Sequence, residues 1–316
     1  MQQPLKLKQG LFTHREGLIL RQQRQGRFHY GEVSPFPGLQ KETLKDCADQ
    51  LQRLSENPPL FPAVAWGLHQ LKHTPVFLPQ QKLNLNALLT GLDDTTFFER
   101  AEARYAEGYR CFKIKVGLQS IKQDKARLQQ LLQLYPDIRL RLDANRGLKL
   151  DEFLRLQQAI PEAQLEYFEE PFATPEQYAQ LSEAHWKLIA LDESLFQGDT
   201  NLLSKARAFV LKPMVLGPER LFFLLDIARK NRIIPVISSC FESSLGLGYL
   251  ASIAHTYAPE VSCGLDTWRG FSEDIWEPVL QAQQAVFDFD HVFFTASRLH
   301  QLKWNTQSIR KLDYVK

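Results

Sequence analysis

Two lysines in the segment RCFKIKVG are spaced so that they could act on one substrate. Lys113 and Lys115 are two residues apart in an apparent strand, where alternating side chains point to the same face. Two ammonium groups held together disfavour each other's charge, so the pKa of at least one lysine is expected to fall. A partly neutral lysine can remove a proton from carbon, which makes this pair a candidate general base. A solvated strand end is the alternative interpretation.

Three carboxylates, those of Asp143, Glu169 and Asp192, stand at the ends of three consecutive β-rich runs. Three carboxylates that converge on one opening cannot all stay ionised unless a cation neutralises them. Mg²⁺ accepts carboxylate oxygens and keeps positions open for a substrate carboxylate, so it is the expected cofactor. A single Asp could instead cap a helix, as in Asp192-Glu193-Ser194, but three at successive strand ends favour a metal site.

A third lysine, Lys212, stands near the end of the run AFVLKP, one run beyond Asp192 and four runs beyond Lys115. In a closed barrel it would face Lys115 across the opening, and Pro213 agrees with a strand that stops there. A lysine on each side of a metal places a base on either face of a planar enolate, whose negative charge the metal stabilises. A Schiff-base lysine is the alternative interpretation, although that chemistry does not need three converging carboxylates.

The elements that must position these residues are short β-rich runs, each followed by a helical stretch, from Leu83 onward. The runs are KLNLNALL, RCFKIKVG, IRLRLDAN, LEYFEEP, KLIALDES, AFVLKP, IIPVISS and EVSCGLD. The polar residues near the ends of the second to eighth runs recur every 20 to 28 residues, which leaves room for a crossover helix. Eight such units predict an α/β barrel, whose active site lies at the carboxyl ends of the strands.

The chain of 316 residues is long enough for such a barrel and a smaller lobe. Up to about residue 80 the apolar pattern is irregular, with a helical stretch from Thr43 to Leu54. This part predicts a short antiparallel sheet followed by helices.

The seventh run continues into SSCFESSLGLG, which is expected to start a helix. Ser239 and Glu242 have the spacing of a capping box, and exposed N–H groups at that helix start would hold a carboxylate. Gly246-x-Gly248-x-x-Ala251 resembles a dinucleotide fingerprint only superficially, since no acidic residue follows at the required distance.

Composition excludes several classes of protein. Hydrophobic residues make up 44% and charged residues 23%, which is ordinary globular usage. A formal net charge of +2 offers no field for a nucleic acid or a membrane, so the expected partner is a small molecule. No segment predicts a membrane span or a secretory signal, so a cytoplasmic location is expected. The four cysteines lack disulfide or zinc spacing and are expected to be reduced, buried thiols.

Taken together, the motifs resemble the enolase superfamily in its muconate-lactonising branch, and within it the o-succinylbenzoate synthase family. They are Lys113-Ile-Lys115, Asp143-Ala-Asn145-Arg146, Phe168-Glu169-Glu170-Pro171, Leu191-Asp192-Glu193-Ser194, Lys212-Pro213 and Ser238 to Gly246, and they cover nearly the whole chain in family order. The segment Gly31 to Gly38 resembles the family's capping lobe. The resemblance implies a (β/α)7β TIM-like barrel with an N-terminal α+β capping domain. Its expected division is capping domain 1–82, barrel 83–285 and a C-terminal segment 286–316 that returns to the capping domain.

The resemblance also implies roles for single residues. Asp143, Glu169 and Asp192 would bind Mg²⁺, with Mn²⁺ as an alternative. Lys115 would be the base and Lys212 would stay protonated beside the enolate. Lys113 and Glu193 would be supporting catalytic groups. The implied substrate-binding residues are Asn145, Ser238, Ser239, Ser243, Ser244, Gly264 and Asp266.

The family reaction converts 2-succinyl-6-hydroxy-2,4-cyclohexadiene-1-carboxylate into o-succinylbenzoate by loss of water, a step towards menaquinone or phylloquinone. N-acylamino acid racemases, dipeptide epimerases and muconate cycloisomerases share the metal and the lysines and are alternatives, as is a catalytically inactive binding barrel. Two features favour the synthase. One is the Ser-Ser-x-x-Glu-Ser-Ser stretch, and the other is the eighth run, Cys263-Gly264-Leu265-Asp266, which lacks the paired Asp-x-Asp that holds a dipeptide ammonium.

Overall fold

The computed structural model describes residues 5–7, 10–73, 82–89, 93–196, 202–275, 286–288, 305–307 and 312–315. The strands in these ranges are β1 (Leu5–Leu7), β2 (Gly10–Phe12), β3 (Leu18–Arg24), β4 (Arg27–Val33), β5 (Lys82–Asn84), β6 (Ala87–Leu89), β7 (Cys111–Lys115), β8 (Arg139–Asp143), β9 (Leu165–Glu169), β10 (Ile189–Leu191), β11 (Ala208–Leu211), β12 (Ile234–Ile237), β13 (Val286–Asp288), β14 (Asn305–Gln307) and β15 (Leu312–Val315). The α-helices are α1 (Leu44–Gln52), α2 (Pro62–Lys72), α3 (Asp94–Ala106), α4 (Ile121–Leu134), α5 (Leu150–Gln157), α6 (Pro175–Ala179), α7 (Glu183–Trp186), α8 (Pro213–Asn231) and α9 (Ser244–Tyr257).

The largest sheet contains seven parallel strands, β6 to β12, each paired with the next in chain order. The eighth predicted run is an irregular segment whose Gly264 bridges Ser238 on one side, while Cys263 bridges Leu85 on the other. This segment therefore closes the curled sheet between its two edges. The predicted α/β barrel with an N-terminal α+β domain is confirmed.

The first predicted run is divided into two short strands. β5 pairs antiparallel with β13, whereas β6 pairs parallel with β7. Between the two strands, Asn86 N donates to the carbonyl oxygen of Cys263 at 3.0 Å. The change of partner interrupts the run at the point where the eighth segment meets it.

The crossover helices start with local signals. At α4, Ser120 Oγ accepts a hydrogen bond from Gln123 N and the Gln123 side chain accepts one from Ser120 N, which completes a capping box. At α8, Pro213 occupies the first turn, where its missing N–H costs nothing. The same helix is interrupted at Gly217, whose φ of +68° suits glycine.

The N-terminal lobe is an antiparallel sheet in the order β14-β15-β3-β4, with α1 and α2 following β4. Gln25 and Gly26 both have positive φ and turn the chain tightly between β3 and β4. Thr43 caps α1, so the helix predicted from Thr43 to Leu54 is confirmed, with its end at Gln52. β15 pairs with β3, although most of segment 286–316 lies outside the described residues. The domain boundaries themselves stay a prediction.

Alternate positions of β9 to β12 form a buried cluster of their own. Its members are Tyr167, Ala190, Ala208, Val210 and Val236. Arg141 lies beside this cluster: its guanidinium is 5.2 Å from the ring of Tyr167 and 2.6 Å from a carboxylate oxygen of Glu166. The lysine and carboxylate side chains predicted to do chemistry stand at or near the carboxyl ends of the strands.

Among the residues described, we find no helix with the length and apolarity that crossing a membrane requires.

Candidate active site

Strand register brings the predicted site residues to one level. Lys115 on β7 is opposite Asp143 on β8, and Asp143 is opposite Glu169 on β9. Asp192 follows β10 directly, and Lys212 follows β11. Because neighbouring parallel strands carry these residues at their carboxyl ends, the side chains meet at one mouth of the barrel.

Each of the three carboxylates is paired with a lysine. Lys113 Nζ lies 2.7 Å from Glu169 Oε1 and 3.1 Å from Asp143 Oδ2. Lys115 Nζ lies 3.4 Å from Asp143 Oδ2, and Lys212 Nζ donates to Asp192 Oδ2. The lysines and carboxylates predicted from strand spacing therefore form one charged cluster.

Protonation in this cluster differs from the sequence-based expectation. Burial lowers the pKa of Lys113, but the charges of Asp143 and Glu169 outweigh it and the net direction is upward. The expected fall does not occur at Lys113, because carboxylates stand beside its ammonium group. Burial raises the pKa of Asp143, yet the ammonium groups of Lys113 and Lys115 bring it to about 2. For Glu169, burial prevails and raises the pKa to about 7.

The donor set fits a hard cation. Glu169 Oε2 and Asp192 Oδ1 are buried oxygens without a hydrogen-bond partner. In the part of the chain that the structure describes, no three acidic, histidine or cysteine side chains converge as a ready-made metal site. The ammonium groups occupy the space between the carboxylates, as the pairing distances show. A cation that enters would give the two unpartnered oxygens a partner. Carboxylate oxygens of this kind are ligands that Mg²⁺ prefers.

Asn145 and Glu193 extend the cluster on the side of Lys115. Asn145 has a positive φ of 42°, and its Oδ1 accepts a hydrogen bond from Lys115 Nζ. Its Nδ2 donates to Glu193 Oε1 at 3.4 Å. Glu193 Oε2 is buried without a partner, and burial raises the pKa of this carboxyl. Asn145 thus adopts a left-handed backbone conformation at the position where its side chain contacts Lys115, the most exposed of the three lysines.

Sequence reasoning missed the role of Glu170. Its Oε1 accepts hydrogen bonds from Asp192 N at 2.9 Å and Ser194 N at 2.7 Å, and its Oε2 accepts one from Ser194 Oγ at 3.0 Å. Glu170 is completely buried, and its Oε2 also accepts from Arg146 Nε and Tyr178 Oη, each at 3.3 Å, so its described hydrogen bonds involve no lysine. It holds the segment that carries Asp192. Strand alternation excludes Glu170 from the barrel interior, but no spacing rule identifies its backbone partners.

Ser238, Ser239 and Gly264 lie together at the end of β12. Ser239 Oγ donates to the carbonyl oxygen of Gly264 at 3.0 Å and lies 2.6 Å from Thr267 Oγ1. Ser238 Oγ is 3.5 Å from the same carbonyl oxygen. A Cβ on Gly264 would lie 2.7 Å from Ser238 Oγ, so any larger residue here would displace the Ser238 hydroxyl. Their predicted substrate-binding role stays a prediction.

Three more of the predicted substrate-binding residues, Ser243, Ser244 and Asp266, already form hydrogen bonds within the protein. Ser243 Oγ donates to Glu32, and Ser244 Oγ donates to Asp274 at 2.8 Å. Asp266 is buried, and one of its oxygens accepts hydrogen bonds from Tyr109 Oη and Arg269 Nε, each at 2.8 Å. For Ser243, Ser244 and Asp266, the role therefore also stays a prediction.

The predicted capping box at Ser239 and Glu242 is wrong. Helix α9 begins four residues later, with Ser243 as its N-cap. Glu242 instead turns back and accepts a hydrogen bond from Cys240 N at 2.5 Å. The helix N–H groups expected to hold a substrate carboxylate donate to Glu32 and Asp274 of the protein itself.

Glu242 provides a test of this buried environment. Burial, and then the charge of Glu32, raises its pKa to about 7. The folded state therefore retains a proton that the unfolded state loses, and stability falls as pH rises from about 4.5 to 7. The stability advantage of Glu242→Gln over the wild type should grow by about 2 kcal/mol between pH 5 and pH 8. Urea denaturation at both pH values measures it, and a constant difference would contradict the assignment.

The expectation for the cysteines is confirmed. Cys47, Cys111, Cys240 and Cys263 are free and buried. Burial raises the pKa of Cys111 and of Cys263 to about 12. Thiols of this kind are inert as nucleophiles near neutral pH.

Comparison with known proteins finds relatives along most of the chain. Residues 96–261 match the family model described as enolase C-terminal domain-like, and residues 1–73 match the model described as MenC, N-terminal domain. The o-succinylbenzoate synthase of Klebsiella pneumoniae is 32% identical over 300 residues, which cover 90% of this chain and 92% of the relative. The o-succinylbenzoate synthase of Citrobacter koseri is 34% identical over 268 residues, which cover 80% and 83%.

Solved structures agree in fold. A dipeptide epimerase from Methylococcus capsulatus, complexed with Mg and the dipeptide L-Arg-D-Lys, has a TM-score of 0.75 and 21% identity and covers 90% of this chain and 92% of its own. An o-succinylbenzoate synthase from Thermosynechococcus elongatus, complexed with Mg in its active site, has a TM-score of 0.65 and 26% identity, with 83% and 88% covered. At 21% identity, the likeness to the dipeptide epimerase shows the fold alone.

Proposed function

The chain belongs to the o-succinylbenzoate synthase family of the enolase superfamily, and on that premise we propose which of its side chains perform each step of the reaction. The reaction is the dehydration of 2-succinyl-6-hydroxy-2,4-cyclohexadiene-1-carboxylate to o-succinylbenzoate in menaquinone biosynthesis. The observation that carries the proposal is the cluster of three lysines and three carboxylates at the mouth of the barrel.

Asp143, Glu169 and Asp192 hold the metal in this proposal. The unpartnered oxygens of Glu169 and Asp192 support it, as does the Mg reported with the o-succinylbenzoate synthase of Thermosynechococcus elongatus. When bound, Mg²⁺ supplies positive charge beside the substrate carboxylate and so makes the adjacent C–H more acidic. Mn²⁺ has the same preference for oxygen ligands and is the alternative ion.

Lys115 is the proposed base. One third of its side chain is exposed, against 15% for Lys113 and 14% for Lys212, so it is the most accessible of the three lysines to a substrate. In its neutral form it takes the proton from the carbon next to the carboxylate. Loss of the hydroxyl from the neighbouring ring carbon then makes the ring aromatic. Returning the proton from Lys115 to that hydroxyl releases water and restores the base.

Lys212 is proposed to remain protonated throughout the reaction. Burial lowers its pKa, but the carboxylate of Asp192 outweighs burial and the net direction is upward. A fixed ammonium group stabilises the negative charge that develops on the substrate. Lys113 and Glu193 act as supporting groups: Lys113 orders Asp143 and Glu169, and Glu193 accepts from Asn145.

The proposed substrate-binding set is Asn145, Ser238, Ser239, Ser243, Ser244, Gly264 and Asp266. Within it, Ser238 and Ser239 are the best candidates for direct contact, because they lie at the end of β12. In the described part of the chain, their hydroxyl groups bond only the carbonyl oxygen of Gly264 and the hydroxyl of Thr267. Ser243, Ser244 and Asp266 would act by supporting the backbone around them. We also propose the division into capping domain 1–82, barrel 83–285 and returning segment 286–316.

Removing and restoring the metal tests this function. The purified protein should convert the cyclohexadiene acid to the aromatic product with Mg²⁺, lose turnover in a chelator and regain it when Mg²⁺ is added back. Circular dichroism should change little on chelation, because the barrel has its own apolar core. Full turnover by the metal-free protein would contradict the ligand assignment. No turnover with Mg²⁺, together with racemisation of N-acylamino acids or dipeptides, would favour the related activities.

A further inference from the structure

Glu32 links the N-terminal lobe to the barrel. It lies on β4, and its side chain is buried. Its Oε1 accepts hydrogen bonds from Ser34 Oγ at 2.7 Å and from Ser243 N at 3.0 Å. Its Oε2 accepts one from Gly246 N at 3.0 Å and another from Ser243 Oγ. One carboxylate thus satisfies three donors of a segment more than 200 residues away.

These contacts replace the cap that α9 lacks. Ser243 is the N-cap of α9, but its side chain makes no bond to its own helix. The first N–H groups of a helix need acceptors, and a negative charge there is favoured by the helix dipole. Glu32 fills this role, and Gly246 leaves room for it: a Cβ there would lie 2.6 Å from Glu32 Oε2 and 2.7 Å from Glu242 Cβ.

The position of Glu32 is fixed by its own lobe. Its backbone N–H donates to Gln70 Oε1 at 2.8 Å on helix α2. β4 and α2 are in close contact, because a Cβ on Gly31 would lie only 2.2 Å from the carbonyl oxygen of Gly67. Tyr249 on α9 adds a second link by donating to the carbonyl oxygen of Gln70 at 3.0 Å.

The segment between β12 and α9 is held at both of its ends. Ser238 N donates to the carbonyl oxygen of Leu211 at 2.9 Å, next to Lys212. In the middle, Arg15 of the N-terminal lobe donates to the carbonyl oxygens of Pro35 at 2.9 Å and Cys240 at 3.4 Å. Glu32 holds the far end at Ser243.

We propose that Glu32 is a positioning residue: by capping α9 from the N-terminal lobe, it sets the segment 238–243 so that Ser238 and Ser239 stand beside Lys212 to receive the substrate. This inference rests on the proposed function, because it assigns the segment to substrate binding. Glu32 touches neither the metal ligands nor the three lysines in the described contacts, so its effect should appear in substrate binding and leave metal binding unchanged.

Glu32→Gln tests the inference, with Glu56→Gln as the matched control, since Glu56 is an exposed glutamate of the same lobe. The glutamine keeps the length of the side chain but turns an N–H₂ group towards N–H donors. We expect KM to rise by about tenfold, the equivalent of losing one helix cap, with a smaller fall in kcat. Calorimetric Mg²⁺ affinity should not change. Hydrogen exchange of the amides at 243 and 246 should accelerate about tenfold.

A second variant covers the case in which Glu32→Gln folds poorly. Ser243→Ala removes one donor to Glu32 and leaves the backbone contacts, so it should raise KM in the same direction by a smaller factor. Unchanged KM and unchanged exchange in both variants would overturn the inference. A fall in Mg²⁺ affinity and kcat together with the rise in KM would also overturn it, because that combination indicates general destabilisation. A wild type that turns over no substrate would overturn the proposed function, while exchange at 243 and 246 would still report whether Glu32 caps α9.

Discussion

Lys115→Ala is expected to reduce dehydration to the background rate. Lys115 is the one lysine of the cluster with a side chain one-third exposed at the barrel mouth. General-base catalysis contributes about 10²–10⁴-fold, and the loss should reach or exceed this range because the proposed mechanism assigns the proton transfer from carbon to Lys115 alone. Turnover at saturating Mg²⁺, monitored as formation of the aromatic product, measures the effect.

The control for this prediction is Lys122→Ala, because Lys122 is exposed on α4 and belongs to no site contact described above. It should retain wild-type turnover. Lys212→Ala should also be severely impaired, through loss of the positive charge beside Asp192 and the substrate. Appreciable activity in Lys115→Ala, under conditions in which Mg²⁺ still binds, would remove Lys115 from the role of base.

Glu169→Gln is expected to lose Mg²⁺ affinity and activity together, whereas Glu170→Gln should keep more of both. Glu169 has an unpartnered oxygen beside the lysines, and Glu170 directs its oxygens to Asp192 N and to Ser194. Loss of a group that only supports metal ligands costs about 10–100-fold in metal affinity, so Glu170→Gln should stay within that range and Glu169→Gln should exceed it.

Calorimetric titration of the two variants with Mg²⁺ compares them directly, because they differ by one position and share the same chemistry. Equal losses, or a larger loss in Glu170→Gln, would mean that the inward-facing carboxylate has been assigned to the wrong residue. Circular dichroism on both proteins verifies that the buried Glu170 network still folds.

The sequence allowed the strand ends to be predicted because parallel strands in a barrel need apolar residues. Charges such as Asp143 and Lys212 therefore mark the carboxyl ends of the strands. The helix that begins after Thr43 was predicted from its own helical pattern, and the capping box that starts it is equally local. Signals of this kind lie within a few residues of the element that they control.

Features set by distant residues could not be predicted in this way. Helix α9 begins at Ser244 because Glu32 and Asp274 accept from its first N–H groups, and neither is near it in sequence. The first β-rich run divides at Asn86 because the eighth segment bonds there. The pKa of Lys113 rises because carboxylates from β8 and β9 reach it, whereas spacing along β7 showed only its lysine neighbour.

The central claim is that Lys115 removes the proton while Lys212 contributes charge. Single-turnover rates of Lys115→Arg and Lys212→Arg, with substrate carrying hydrogen or deuterium at the carbon next to the carboxylate, test it most directly. Arginine keeps a positive charge but cannot act as a base near neutral pH. The account predicts residual, isotope-sensitive dehydration in Lys212→Arg and background rates in Lys115→Arg. Faster turnover by Lys115→Arg, with a normal isotope effect, would contradict it.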